Sequence, residues 1–143
     1  MKMMLSDAQR TMLQTKGVVL GRVLVGLLFV IGGLGMLMDP TGTAGYFSSI
    51  GVPMAGVLVW VVIAVKVLGG AMVIIGKRVG LAASALIVFT LLATLLGHSN
   101  IADPMQLTQA LKNLSIIGGL IYVMAYGAGS MDAKSSAAPV KSI

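Results

Sequence analysis

The stretch "VWVVIAVKVLGGAMVIIGKR", residues 59–78, holds no polar side chain except Lys66 until it closes on Lys77 and Arg78. A helix of roughly 20 apolar residues crosses a bilayer, so the stretch reads as a membrane span with a lysine near its middle. Gly76 lies ten residues beyond Lys66, about 15 Å along a helix, too far for the side chain to reach water fully. A lysine at that depth costs roughly 3 kcal/mol on insertion scales. Lys66 is therefore expected to face the bundle interior, a wet cavity or a partner subunit. No Asp or Glu lies in any apolar stretch, so its expected companions are backbone carbonyls and the hydroxyls of Ser84, Thr90 and Ser115, or else the amine is neutral. Three readings stand: a working group, a subunit contact, or a tolerated residue.

Working outward, four stretches qualify as spans: about 18–38, 52–76, 79–97 and 107–129. They predict an all-α fold, a four-transmembrane-helix bundle occupying residues 17–129. A 16-residue N-terminal segment precedes it and a small, polar tail over 130–143, expected to be disordered, follows it. Asp39-Pro40 and Asp103-Pro104 mark helix ends, with residues 39–51 and 98–106 read as loops. The turn at Lys77-Arg78 is short enough for an antiparallel hairpin. The first span is read as a retained anchor, because its apolar run exceeds that of a signal peptide and no small-residue cleavage site follows.

Composition agrees. The 143-residue chain is 57% hydrophobic and 10% charged, with 19 glycines, 11 methionines, one histidine, no cysteine and no glutamate. The absence of cysteine removes disulfides and thiolate chemistry. The net charge of +6 comes from basic residues beside the apolar segments, a membrane pattern rather than a nucleic-acid-binding patch. Lys2, Arg10 and Lys16, then Lys77 and Arg78, then Lys134 and Lys141 fall on one side of a four-span bundle, and the opposite loops carry no Lys or Arg. The positive-inside rule then puts both termini of this multi-pass chain in the cytoplasm.

Glycines inside the spans, among them Gly17, Gly21, Gly26, Gly32, Gly33, Gly35, Gly69-Gly70 and Gly118-Gly119, suit close helix packing in lipid. Some can instead clear space for a ligand. Met36 and Met38 are a weak candidate for a soft metal, and no metal site is predicted. Arg22 lies one turn into the first span and can snorkel to the interface. His98 ends the third span and Lys112-Asn113 open the fourth on the same side, with Ser115 and Tyr122 deeper, so His98, Lys112 and Asn113 are expected to form an outer polar cluster. Trp60, Tyr46 and Phe47 suit an interfacial belt. No nucleophile elbow, phosphate loop or carboxylate pair is present. A quinone needs only an apolar slot and a few donors, and this chain has both.

Several of these segments resemble the DoxX-like membrane proteins: "LGRVLVGLLFVIGGLGMLMDPTGTAGYFSSIGVP", the turn "GKRVGLAA", the "GH" closing span three and the "LKNLSIIGGL" of span four. The resemblance covers about residues 17–132 and implies a four-helix integral membrane fold. Some members are subunits of thiosulfate:quinone oxidoreductase and others are linked to oxidative stress. Arg22, His98, Lys112 and Asn113 match the family pattern. Met36 stands where relatives often carry Lys, and Lys66 where they often carry Glu, so an internal Lys–Glu pair cannot form here.

The leading reading is a small redox-associated, quinone-facing accessory subunit acting with a membrane or peripheral redox partner. Quinone is its candidate cofactor, and no intrinsic cofactor or nucleic-acid partner is expected. The candidate ligand-binding residues are His98, Lys112, Asn113, Arg22 and Lys66. A structural or assembly subunit without a ligand, whether in a homo-oligomer or a larger complex, and a small-solute pathway lined by Lys66 are the alternatives.

Overall fold

A computed structural model describes residues 4–127. All regular structure among them is helical, and four helices are long and apolar enough to cross a membrane. The expected tail over 130–143, with Lys134 and Lys141, lies outside the described residues, as does Lys2.

The first helical segment, α1 (Asp7–Met12), begins at a capping box. The Ser6 hydroxyl accepts from the Gln9 amide at 3.3 Å, and the Gln9 side chain accepts from the Ser6 amide at 2.9 Å, which satisfies two otherwise open donors. It runs through a π-helical turn at Leu13–Gly17 into α2 (Val18–Met38), so the helix of the first span starts well before its apolar part. Next, α3 (Pro40–Ser49) occupies most of the region expected to be a loop. Its physical reason is local: Asp39 accepts from the Gly42 amide at 2.9 Å as N-cap, and Pro40 fills the first turn, where its missing N–H is not needed.

The remaining helices are α4 (Ala55–Ile75), α5 (Val79–Gly97) and α6 (Pro104–Tyr126). Three residues join α4 to α5. Gly76 takes a left-handed conformation, φ 80°, and its amide and that of Lys77 bond back to the Met72 carbonyl. This is the helix stop that glycine permits without a Cβ clash. Asp103 caps α6 through the Met105 amide at 3.0 Å.

Helix α2 packs most extensively on α4, α5 lies between α4 and α6, and α3 rests on α4. One core cluster joins Phe29, Val73, Val79, Ala82, Ala83, Leu86, Leu120 and Val123 across four helices. A second joins Phe47 of α3 to Ala55, Val59 and Ile63 of α4. Leu20, Leu24, Leu28, Ile31, Leu81, Val88 and Leu95 are exposed, which in a bilayer is the lipid-facing surface.

Candidate functional site

Lys66 enters the α2–α4 seam opposite Gly32 and Gly33. A Cβ on Gly32 would lie 2.7 Å from the Lys66 Nζ, and one on Gly33 would lie 3.1 Å from the Lys66 Cβ. The two glycines thus remove the side chains that would fill the lysine's path. Its Nζ stands 5.5 Å from the centre of the Phe89 ring on α5. An ammonium over an aromatic face gains on the order of 2 kcal/mol when desolvated, a large part of its insertion cost. The expected hydroxyl partners do not reach it. Ser84, Thr90 and Ser115 donate to the carbonyls of Gly80, Leu86 and Leu111 in their own helices. Membrane helices commonly bind hydroxyls this way, because a serine or threonine finds its acceptor one turn back.

Phe89 also forms part of a cavity of about 380 Å³ at the α3 end of the bundle. Tyr46 and Phe47 of α3 line it with Val62 of α4, Leu92 and Leu96 of α5, and His98, which caps the end of α5. A Cβ built on Gly97 would sit 3.1 Å from the Tyr46 hydroxyl, so this hydroxyl lies against the end of α5 next to His98. The cavity is therefore apolar along its length, with a phenol and an imidazole at one end. Leu92 and Leu96 line it and are also about half exposed, so its flank is open to the bilayer side.

The other candidates separate. Asn113 donates its side-chain amide to the Thr94 hydroxyl at 2.9 Å, and that hydroxyl donates to the Thr90 carbonyl at 2.7 Å. This chain ties α6 to α5. Lys112, one residue earlier and so about 100° around the helix, is exposed. No hydrogen bond among the described residues links His98, Lys112 and Asn113 to one another. Arg22 lies at the opposite end, 8% exposed, on the wall of a second cavity of about 420 Å³ between α2 and α6. Its side chain is largely enclosed by protein. Among the described residues no group of three or more His, Cys, Asp or Glu can hold a metal ion.

Two lining residues were not recognisable as such in the sequence. Tyr46 reads as a belt aromatic until α3 folds it back to α5, and Phe89 is one of many apolar residues in its span. Only the pairing of helices reveals either.

Comparison with known proteins follows the same outline. The DoxX family model matches residues 17–99, which takes in α2 to α5 and His98 but not Lys112 or Asn113. The inner membrane protein YqjF of Escherichia coli (strain K12) is 33% identical over 118 residues, covering 82% of this chain and 89% of that protein. No solved structure gives a significant match. With its four apolar helices, this kinship makes the chain a multi-pass protein of the bacterial inner membrane. Both the family match and the relative extend over most of the helical bundle, and the chain belongs to the DoxX family.

Proposed function

We propose that the cavity beneath α3 binds a quinone, and that the protein serves as a quinone-facing accessory subunit beside a redox partner. One observation carries this reading: the apolar cavity of about 380 Å³ has the Tyr46 hydroxyl and His98 at one end and a flank bounded by exposed leucines. A quinone ring fits between Phe47 and Phe89, and an isoprenoid tail can leave past Leu92 and Leu96. His98 and Tyr46 would donate hydrogen bonds to a ring carbonyl, and that oxygen gains charge when the ring is reduced by electrons from the partner. Lys66, whose Nζ stands 5.5 Å from the Phe89 ring centre, adds a basic group beside this wall. Asn113 acts through Thr94 as a positioning residue for α5, and Lys112 offers a cation at the same end of the bundle.

The test is titration of the purified protein in nanodiscs with a short-chain ubiquinone. His98→Ala should weaken binding at least about fivefold, the loss of one hydrogen bond donated to a ring carbonyl, and Leu92→Trp should block the cavity outright. Equal affinity in wild type and both variants, or none in any, would sink the quinone reading.

The same proposal places both termini in the cytoplasm, supported by Arg10, Lys16, Lys77 and Arg78 lying at the end opposite α3. An export-dependent reporter fused after Ile143 should stay inactive. Its activity would reverse the orientation.

A further inference from the structure

Helix α3 covers the cavity at its end of the bundle, and this cover is held on one side only. Towards α4 it is fixed by burial. Phe47 packs into a cluster with Ala55, Val59 and Ile63, and Ala44 and Val52 lie against the same cluster. The Val52 amide donates to the Phe47 carbonyl at 3.0 Å, so the chain turns from α3 directly into this contact. Towards α5 the arrangement is different. No Cα of α3 comes within 8 Å of one in α5, and the gap is crossed by side chains. A Cβ built on Gly97 would lie 3.1 Å from the Tyr46 hydroxyl and 4.0 Å from the Ile50 Cδ1. That hydroxyl makes no hydrogen bond among the described residues.

The sequence sets this asymmetry. Tyr46 and Ile50 are four residues apart and share one face, while Phe47 is turned about 100° from Tyr46. One face of α3 therefore holds to α4 and the neighbouring face only touches the end of α5. The backbone on either side permits a swing. A single residue, Asp39, joins α2 to α3, and Gly51, at φ 87°, follows the Ile50 cap in a region that glycine enters without a steric cost. Hinges need only a few such positions beyond the end of an element. Beneath the free edge lie His98 and Ala93, both on the cavity wall, with Ala93 one helical turn below Gly97.

We propose that α3 is a lid: its α5 edge lifts about the Phe47 anchor and gives the cavity a second entrance, from the aqueous surface at the α3 end. The first entrance, past Leu92 and Leu96, admits apolar compounds from the bilayer. The second admits small water-soluble ones, so a solute and a lipid-borne occupant meet beside His98. Glycine at position 97 is what lets the edge close, because any side chain there stands in the place of the Tyr46 hydroxyl. The lid goes beyond the quinone reading and does not rest on it, since any occupant drawn from the bilayer meets the same two entrances.

The chain has no cysteine, so a thiol introduced by Ala93→Cys reports on the cavity alone. The full chain carrying it is labelled in nanodiscs, without quinone, by a positively charged methanethiosulfonate that does not enter lipid. Adding Ile50→Ala, which cuts the edge back, should raise the labelling rate at least about tenfold, as for an opening populated about a tenth of the time or less. Tyr46→Ala carries the same expectation and stands in if Ile50→Ala does not fold. Phe47→Leu leaves both edge residues in place and loosens the anchor, so it raises the rate only if the cover moves. Leu96→Ala widens the bilayer flank, which a charged reagent does not use, and should leave the rate unchanged. An unchanged rate in both edge variants would overturn the entrance, as would an equal rise in Leu96→Ala. An unchanged rate in Phe47→Leu would mean a fixed slit and overturn the lid.

Discussion

Helix α2 makes two seams, and both are rich in glycine. Along the seam with α4, glycine means contact: a Cβ on Gly26 would lie 2.7 Å from the Gly70 carbonyl, and one on Gly70 the same distance from the Gly26 carbonyl. Two backbones meet there with nothing between them, the arrangement that gives membrane helices most of their packing energy. Along the seam with α6, Gly21 touches nothing and Gly119 only approaches Val25 at 3.6 Å. Gly17 and Gly21 have the four-residue spacing of a packing motif, yet no helix closes on them. Spacing alone does not separate a glycine that joins helices from one that keeps them apart.

Alanine substitutions along α2 and α4 sharpen this contrast when unfolding is followed for each variant in one detergent. Gly70→Ala carries the largest expected effect, a loss of about 3 kcal/mol, because its new methyl meets backbone that cannot move without parting the helices. Gly32→Ala comes next, at about 1 kcal/mol, because its methyl meets the movable end of Lys66. Gly21→Ala should be within about 0.5 kcal/mol of wild type, with the added helix propensity of alanine on the favourable side. A Gly21→Ala loss as large as that of Gly70→Ala would erase the distinction between the seams. A neutral Gly70→Ala would show that the α2–α4 contact is looser than 2.7 Å implies.

The four spans were legible because a bilayer imposes length and apolarity on each helix independently of the others. The Gly76 stop was legible for a similar reason, since it depends only on neighbours in the chain. Helix α3 was missed although its signals, Asp39 as cap and Pro40 in the first turn, were visible. The glycines and threonines of "PTGTAG" are poor helix formers, and the region between two spans invites reading as a loop. The polar residues of the candidate sites could be picked out singly, but their companions could not. Asn113 meets Thr94, Lys66 meets Phe89 and His98 lies by Tyr46 because of how helices rotate and slide against one another. A turn of about 100° separates Lys112 from Asn113 and decides which of them faces α5. Nothing local to "LKN" sets that angle.

The exposed leucines beside the α3-end cavity change what affinity means for any occupant. A compound that enters past Leu92 and Leu96 arrives from the membrane, where apolar molecules are already enriched. Its occupancy then follows the number of molecules per lipid, not the concentration in water. Under that rule a weak intrinsic preference is enough to fill the cavity, and the protein's state reports the composition of the membrane around it.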